Sequence, residues 1–403
     1  MEKSQRVVCN SKMLKCETEL INKNLAEREK ELLRLLFAEK VDSSDIQHLT
    51  SDLDIDNEKP DYLLMLARLG NKFGWQIFNK KHSPRLQGIH RYYHFKFVSM
   101  LPWFCEQLGV FNDNNIDVLL LKGIAMTTYY ASGKTRLMSD FDIAIKDEDY
   151  NRATEVMRSR EDFIETTQPH SVTYSMKKAG PSNSNLEMDI HRWIFKFDNG
   201  SKSDMWKNII PVDFYGKHAF VLSPMDMFIH QFNNQAGNIF RNEMPDRRLQ
   251  WLYDCRCILE TGRRDGCPFT AADIYKRASE LKCVYSVQLI GKIFIDCFPG
   301  VIDKDEFERY FADSEDYERW IAFGKRQARA IEKHDELVYV KKSKNFIRKY
   351  TLLLRYYWAR YKFAKLENKD FPLTFFQLIT LTSRKSNIFE VFVKCIKNIL
   401  GRN

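Results

Sequence analysis

The chain has no apolar run long enough to cross a bilayer. Its longest near-apolar stretch, Phe371 to Thr382, falls well short of the ~20 residues a spanning helix needs. The first twelve residues, MEKSQRVVCNSK, contain no apolar signal core, so no secretory leader is expected. Patterned cysteine is missing as well. Nine cysteines are scattered along 403 residues, and only Cys255 and Cys257 lie close together. One such pair without a second does not make a zinc site, and an odd count argues against a full disulfide framework. The expectation is reduced, mostly buried thiols and a cytoplasmic location. Internal repeats, low-complexity tracts and any specific nucleic-acid-binding motif are also lacking.

What is present belongs to a folded chain. Hydrophobic residues make up 44% and aromatics 13%, and the length suffices for two or three compact units. The formal charge of +9 suits a polyanionic partner such as nucleotide, nucleic acid or anionic membrane, although it also serves solubility.

The informative stretch runs from Asp117 to Ile145, DVLLLKGIAMTTYYASGKTRLMSDFDIAI. An apolar β-type run, Val118 to Leu121, breaks at Lys122-Gly123; a helical segment follows over about Ile124 to Tyr130, then a turn. A second strand carries Asp140, Phe141, Asp142, Ile143 and Ile145. Side chains two apart on a strand share a face, which puts Asp140 and Asp142 together and sends Phe141, Ile143 and Ile145 into a core. Adjacent carboxylates repel unless solvated or joined by a cation. A pair of oxygen ligands without Cys or His suits magnesium or manganese.

A third carboxylate gives this pair its meaning. Residues 170–177 and 186–193 read as two alternating runs joined by a Gly/Pro/Ser/Asn loop, a β-hairpin with a long connection. In the second run Leu186, Met188 and Ile190 share one face, and Glu187, Asp189 and His191 the other. If this strand lies beside the Asp140/Asp142 strand, Asp189 completes a cluster of three carboxylates. Such a cluster can hold two metal ions ~3.5–4 Å apart, an arrangement suited to in-line phosphoryl chemistry.

The succession of strand, glycine turn, helix, Arg-x-x-x-Asp-hydrophobic-Asp and a later hydrophobic-Asp-hydrophobic strand resembles the nucleotidyltransferase superfamily with the polymerase-β-type fold. LLLKG, RLMSDFDIAI and LEMDIH, with SPMDMFIHQF and RLQWLYDCRCIL downstream, are similar to the bacterial nucleotidyltransferase family proteins over roughly residues 85–265. The resemblance implies an α+β fold, with a small mixed β-sheet core flanked by N-terminal helices and a C-terminal helical region. It implies transfer of a nucleoside monophosphate from a nucleoside triphosphate to an acceptor hydroxyl, with Mg²⁺ or Mn²⁺ on Asp140, Asp142 and Asp189. Lys122, the Gly123 backbone, Arg136 and Ser139 would hold phosphate. A small molecule, sugar or protein is favoured over nucleic acid as acceptor. One departure stands out: the superfamily's glycine is commonly followed by Ser or Gly, whereas this chain has Ile124. A catalytically silent binder of nucleotide or of a partner protein is therefore the alternative.

Glu187 and His191 flank Asp189 and form a second rank of candidates with His230 and Asp254. His230, on an amphipathic helix, is either a packed core histidine or a catalytic one. Asp254, inside the apolar run Trp251-Leu-Tyr-Asp-Cys, needs a partner, either an arginine or backbone group or the nucleotide's base or sugar.

The rest of the chain divides into a polar segment (1–25), N-terminal helices (26–110), the core (111–220), a helical domain (221–340) and a basic, aromatic segment (341–403). The last reads as an amphipathic helix facing water or resting on anionic lipid. Residues 41–60 read as a loop or broken helix, and residues 206–220 as irregular. Ser223-Pro224-Met225-Asp226 is a helix start, and Thr270 to Asp273 caps another. The aromatics of the helix over residues 86–108 are expected in the core, and the acids of Asp147-Glu148-Asp149 belong at a helix N-terminus.

Overall fold

The apolar run at residues 118–121 behaves as its composition demands: all four side chains are buried, and Leu119–Leu120 forms strand β1, an interior strand of a seven-stranded sheet. The computed structural model describes residues 25–130, 136–138, 140–160, 162–167, 171–177, 186–195, 204–240, 248–281, 283–312 and 361. The other strands are β2 (Phe141–Ala144), β3 (Phe163–Thr167), β4 (Ser171–Met176), β5 (Glu187–His191), β6 (Ile209–Phe214) and β7 (Lys217–Leu222). Their order across the sheet is β3-β4-β5-β2-β1-β7-β6. The β2–β5 and β1–β7 pairs are parallel and the others antiparallel, so the sheet is mixed and the fold is α+β.

The helices are α1 (Glu27–Leu35), α2 (Ser43–Thr50), α3 (Pro60–Phe73), α4 (Ser83–Asp113), α5 (Lys122–Met126), α6 (Asp147–Arg158), α7 (Pro224–Phe240), α8 (Arg248–Arg264), α9 (Ala271–Glu280), α10 (Val284–Cys297) and α11 (Lys304–Ala312). Helix α4 packs on the sheet through Phe97, Leu101, Phe104, Leu108 and Phe111, a stripe at helical spacing. Phe104 stacks on Phe141 at 4.3 Å between ring centroids. Burying each such ring is worth roughly 1.5–3 kcal/mol. The expectation that every aromatic of this helix enters the core holds for Phe97 and Phe104 but not for Tyr92 (59% exposed) or Phe95 (63%). Those two lie on the opposite face, because the stripe that meets the sheet is only one side of the cylinder.

Two segments differ from the sequence reading. Residues 43–50 form a complete short helix, α2. The segment read as irregular holds the β6–β7 hairpin, paired from Ile209↔Leu222 to Phe214↔Lys217. Its turn places Tyr215 and Gly216 at φ +51° and +76°, the left-handed pair that a two-residue hairpin turn requires. Pro211, which argues against a central strand, is tolerated because β6 is the sheet's edge.

The start signal at Ser223 operates as read: Asp226 N–H donates to Ser223 Oγ at 3.3 Å. Asp226 also binds Arg277 of α9 through two hydrogen bonds, of 2.6 and 3.0 Å. Thr270 and Asp273 form the reciprocal cap of α9. Asp147, Glu148 and Asp149 occupy the first turn of α6. One apolar core runs from Leu32 through Phe104 and Phe141 to Phe228 and Phe311. Among the described cysteines, Cys255, Cys257, Cys283 and Cys297 are buried thiols, while Cys267 is exposed. No described helix is long and apolar enough to cross a membrane. The basic C-terminal segment, 341–403, lies outside the described residues except Tyr361.

Candidate active site

Strands β2 and β5 run parallel, with Asp142 directly across from Asp189 and Ala144 across from His191. The apolar faces of both strands, Phe141 and Ile143 on one and Met188 and Ile190 on the other, are buried, which fixes the register. Asp142, Asp189 and His191 are thereby brought together. One ligand atom from each lies within 4.8 Å of the other two. Asp140 sits in a bend just before β2, half-buried and outside that trio, with its charge acting on Lys122. Glu187 shares the strand face and accepts a 3.0 Å hydrogen bond from Ser175 Oγ.

Asp142 is only 4% exposed. Burial works to raise its carboxyl, but Lys122 and His191 outweigh it and hold the group well below the usual carboxylate range. Lys122 Nζ donates to Asp142 Oδ1 at 2.5 Å, and His191 Nε2 lies 2.8 Å from the same oxygen. Burial and the Lys122 charge lower His191, which favours the neutral imidazole; the tautomer with its proton on Nε2 donates to the Asp142 carboxylate. Asp189 moves the other way. Its burial and the facing Asp142 charge push it up against a hydrogen bond from Thr173. Two like carboxylates whose environments push them apart are suited to different duties. The donor set fits a divalent ion: two carboxylate oxygens and one imidazole converge from adjacent strands.

Lys122 opens α5 immediately after β1 with φ +44°, a left-handed conformation uncommon for a residue with a side chain. The neighbouring Leu121 N–H donates to Asp142 C=O at 2.9 Å, which ties this turn to β2. Gly123 lies under the Arg136 guanidinium: a Cβ there would meet Arg136 Nη1 at 2.6 Å, so a larger residue would have to push that group aside. Ile124 is fully buried and offers no polar group in place of the expected hydroxyl. Ser139 lies outside the described residues.

Residues 61–299 match the model of the family described as an uncharacterised nucleotidyltransferase. The chain belongs to this nucleotidyltransferase family. Among solved structures, an antigenic nucleotidyltransferase-like protein from Paracoccidioides brasiliensis is similar over 40% of this chain and 76% of its own, at 13% identity and a TM-score of 0.29. A superposition that loose assigns no residue a role. No curated protein sequence matches the chain.

Elsewhere in the chain the expected phosphate ligand Arg136 has a partner within the protein. Its Nε and Nη2 donate to Asp254 Oδ2 at 3.1 and 2.9 Å, and its Nη1 donates to the Leu137 carbonyl at 3.1 Å. Asp254 Oδ1 accepts from Tyr130 Oη and, at 2.7 Å, from Gln250 Nε2. The need of a buried Asp254 for a partner is thus met by an arginine 118 residues away. His230 is buried on α7, stacked on Phe195 at 6.1 Å, and burial, Lys122 and His191 push it down to about 3. Burial favours the neutral form of this ring. The close approach of Lys122 and His191 to Asp142 was not read from the sequence. The only signal for it was the placement of His191 on the face of Asp189.

Proposed function

We propose that this protein transfers a nucleoside monophosphate from a nucleoside triphosphate to an acceptor hydroxyl, with release of pyrophosphate. The observation that carries the reading is the register of β2 and β5, which sets Asp142 opposite Asp189 beside His191 in a chain of this family. Asp142 and Asp189, with Asp140 at the edge of the cluster and His191 beside it, would hold Mg²⁺ or Mn²⁺. The ion would supply charge neutralisation at the triphosphate and the departing pyrophosphate.

The protein's own groups divide the remaining work. Asp142, held ionised, is the permanent anionic ligand. Asp189, whose pKa burial and the facing Asp142 raise, would accept the acceptor's proton as the hydroxyl oxygen bonds to the α-phosphorus and the bond to the pyrophosphate oxygen breaks. Lys122 and the Gly123 backbone face the phosphates, with Ser139 an expected further contact. Arg136 acts at one remove, by fixing the loop before β2 against α8. A small molecule, sugar or protein hydroxyl is the favoured acceptor.

The test is incubation with each labelled nucleoside triphosphate and a cell extract, followed by a search for label on any new species. Transfer by the native protein and none by Asp142→Asn is the expected result. The buried Ile124, which leaves the turn without a hydroxyl, favours a second reading as a nucleotide-binding module. Metal-dependent nucleotide binding without transfer to any extract component selects that reading; absence of both binding and transfer removes the site altogether.

A further inference from the structure

We propose that Lys122 is a built-in cation that competes with the divalent ion for the carboxylates, so that metal and triphosphate enter as one unit. The inference rests on the reading of Asp142 and Asp189 as metal ligands. Its observations are geometric. The Lys122 ammonium is 2.5 Å from Asp142 Oδ1 and 3.4 Å from His191 Nε2, two of the three groups that would ligate the ion. The charges of Asp140 and Asp189 act on it as well, in addition to the direct contact with Asp142. The side chain is half-buried at 28% exposure and Asp142 is almost wholly buried at 6%, so solvent screens their pairing weakly.

One oxygen cannot serve every claimant. Asp142 Oδ1 already accepts from Lys122 and faces His191 Nε2. That imidazole nitrogen cannot both present its proton to Asp142 and coordinate a cation. A divalent ion entering alone either displaces the ammonium from Asp142 Oδ1 or ligates the other oxygen with the ammonium still close by, and in both cases two positive charges share the same few carboxylates. A metal–triphosphate complex removes each obstacle at once. It brings the cation for the carboxylates and a phosphate oxygen for the ammonium, an exchange of partners in which no charge is stranded. Lys122 starts from φ +44° at the head of a short helix, so its side chain leaves the sheet from a turn and not from a strand. The two ligands are coupled through this one side chain, and coupling of that kind is reciprocal.

The experiment measures Mn²⁺ binding to the full chain by the paramagnetic resonance of the free ion, with and without an α,β-methylene nucleoside triphosphate. Lys122→Met keeps the length of the side chain and removes its charge, and Lys122→Gln serves if the first variant does not fold by circular dichroism. With Mn²⁺ alone, the uncharged variant should bind about tenfold or more tighter than the native chain, the equivalent of roughly 1.4 kcal/mol. The analogue should tighten Mn²⁺ about tenfold or more in the native chain and by clearly less in the variant. Equal or weaker Mn²⁺ binding by the variant, while the native chain binds Mn²⁺ with the analogue, overturns the proposal and makes Lys122 a simple phosphate contact. If neither chain binds Mn²⁺ even with the analogue, the metal reading falls first and this inference with it.

Discussion

Removing the charge of Asp254 is the sharpest test of what holds the candidate site in place. This carboxylate is fully buried and receives two donors on each oxygen: Arg136 Nε and Nη2 on one, Tyr130 Oη and Gln250 Nε2 on the other. Arg68, buried against the Tyr130 and Tyr253 rings at 4.8 and 4.3 Å, feels the same charge. Breaking a buried ion pair from one side costs about 3–5 kcal/mol, because the surviving charge is left in a poor solvent. Asp254→Ala also strips acceptors from Tyr130 and Gln250, each unsatisfied group adding about 1–3 kcal/mol. Against a total stability of roughly 5–15 kcal/mol, that variant approaches the folding threshold. Asp254→Asn keeps shape and most acceptor capacity, and should cost roughly 3 kcal/mol. The paired change Arg136→Met with Asp254→Leu should be less destabilising than Asp254→Ala alone, since it strands no Arg136 charge. Urea unfolding followed by circular dichroism reads the stability, and calorimetry with a triphosphate analogue reads the site. If Asp254→Asn stays within about 0.5 kcal/mol of the native chain and loses nucleotide affinity, the carboxylate faces ligand and the structural account is wrong.

Asp189→Asn should leave analogue binding nearly intact while lowering label transfer by about 10²–10⁴-fold, the range of a lost proton acceptor; equal losses of binding and transfer would make Asp189 a plain ligand. His230 stands at about 3 in the folded chain against an ordinary 6.5, so between those values the unfolded chain binds more protons and stability falls as pH drops. At pH near 4.5 its share of that loss is about 2–3 kcal/mol, so His230→Gln should lose that much less stability than the native chain on going from pH 7 to ~4.5. Parallel stability–pH curves for the two proteins would show that His230 is not held neutral by burial.

Much of the fold was legible because local pattern and tertiary environment agree. The run at Val118–Leu121, the alternation through Asp142 to Ile145 and that of Leu186 to His191 each require a buried face, and the structure supplies it. The caps at Ser223 and Thr270 are written in side chains that bond their own helix within three residues, so no distant partner is needed. The β6–β7 hairpin was missed although its signal was present. Val212 and Phe214 alternate towards Tyr215-Gly216, but Pro211 argues against a strand until the edge position is known. Strand β3 was missed in the same way, being an edge strand with a weak apolar face.

The candidate site divides along the same line. That Asp142 and Asp189 stand on strand faces follows from a period of two, and needs no knowledge of neighbours. Their confrontation across a parallel pair, by contrast, depends on which strands adjoin, a choice made by the whole sheet. Arg136 illustrates the limit. An arginine four residues before an aspartate looks like a phosphate ligand, yet its guanidinium is bound to Asp254 on α8. Lys122 is likewise adjacent in space to a carboxylate twenty residues on. Sequence alone determined the elements and the residue types they display, since backbone periodicity and capping act over a few residues. Which charge meets which was decided by the tertiary fold, because ion pairs act over ångströms in space and burial sets their strength.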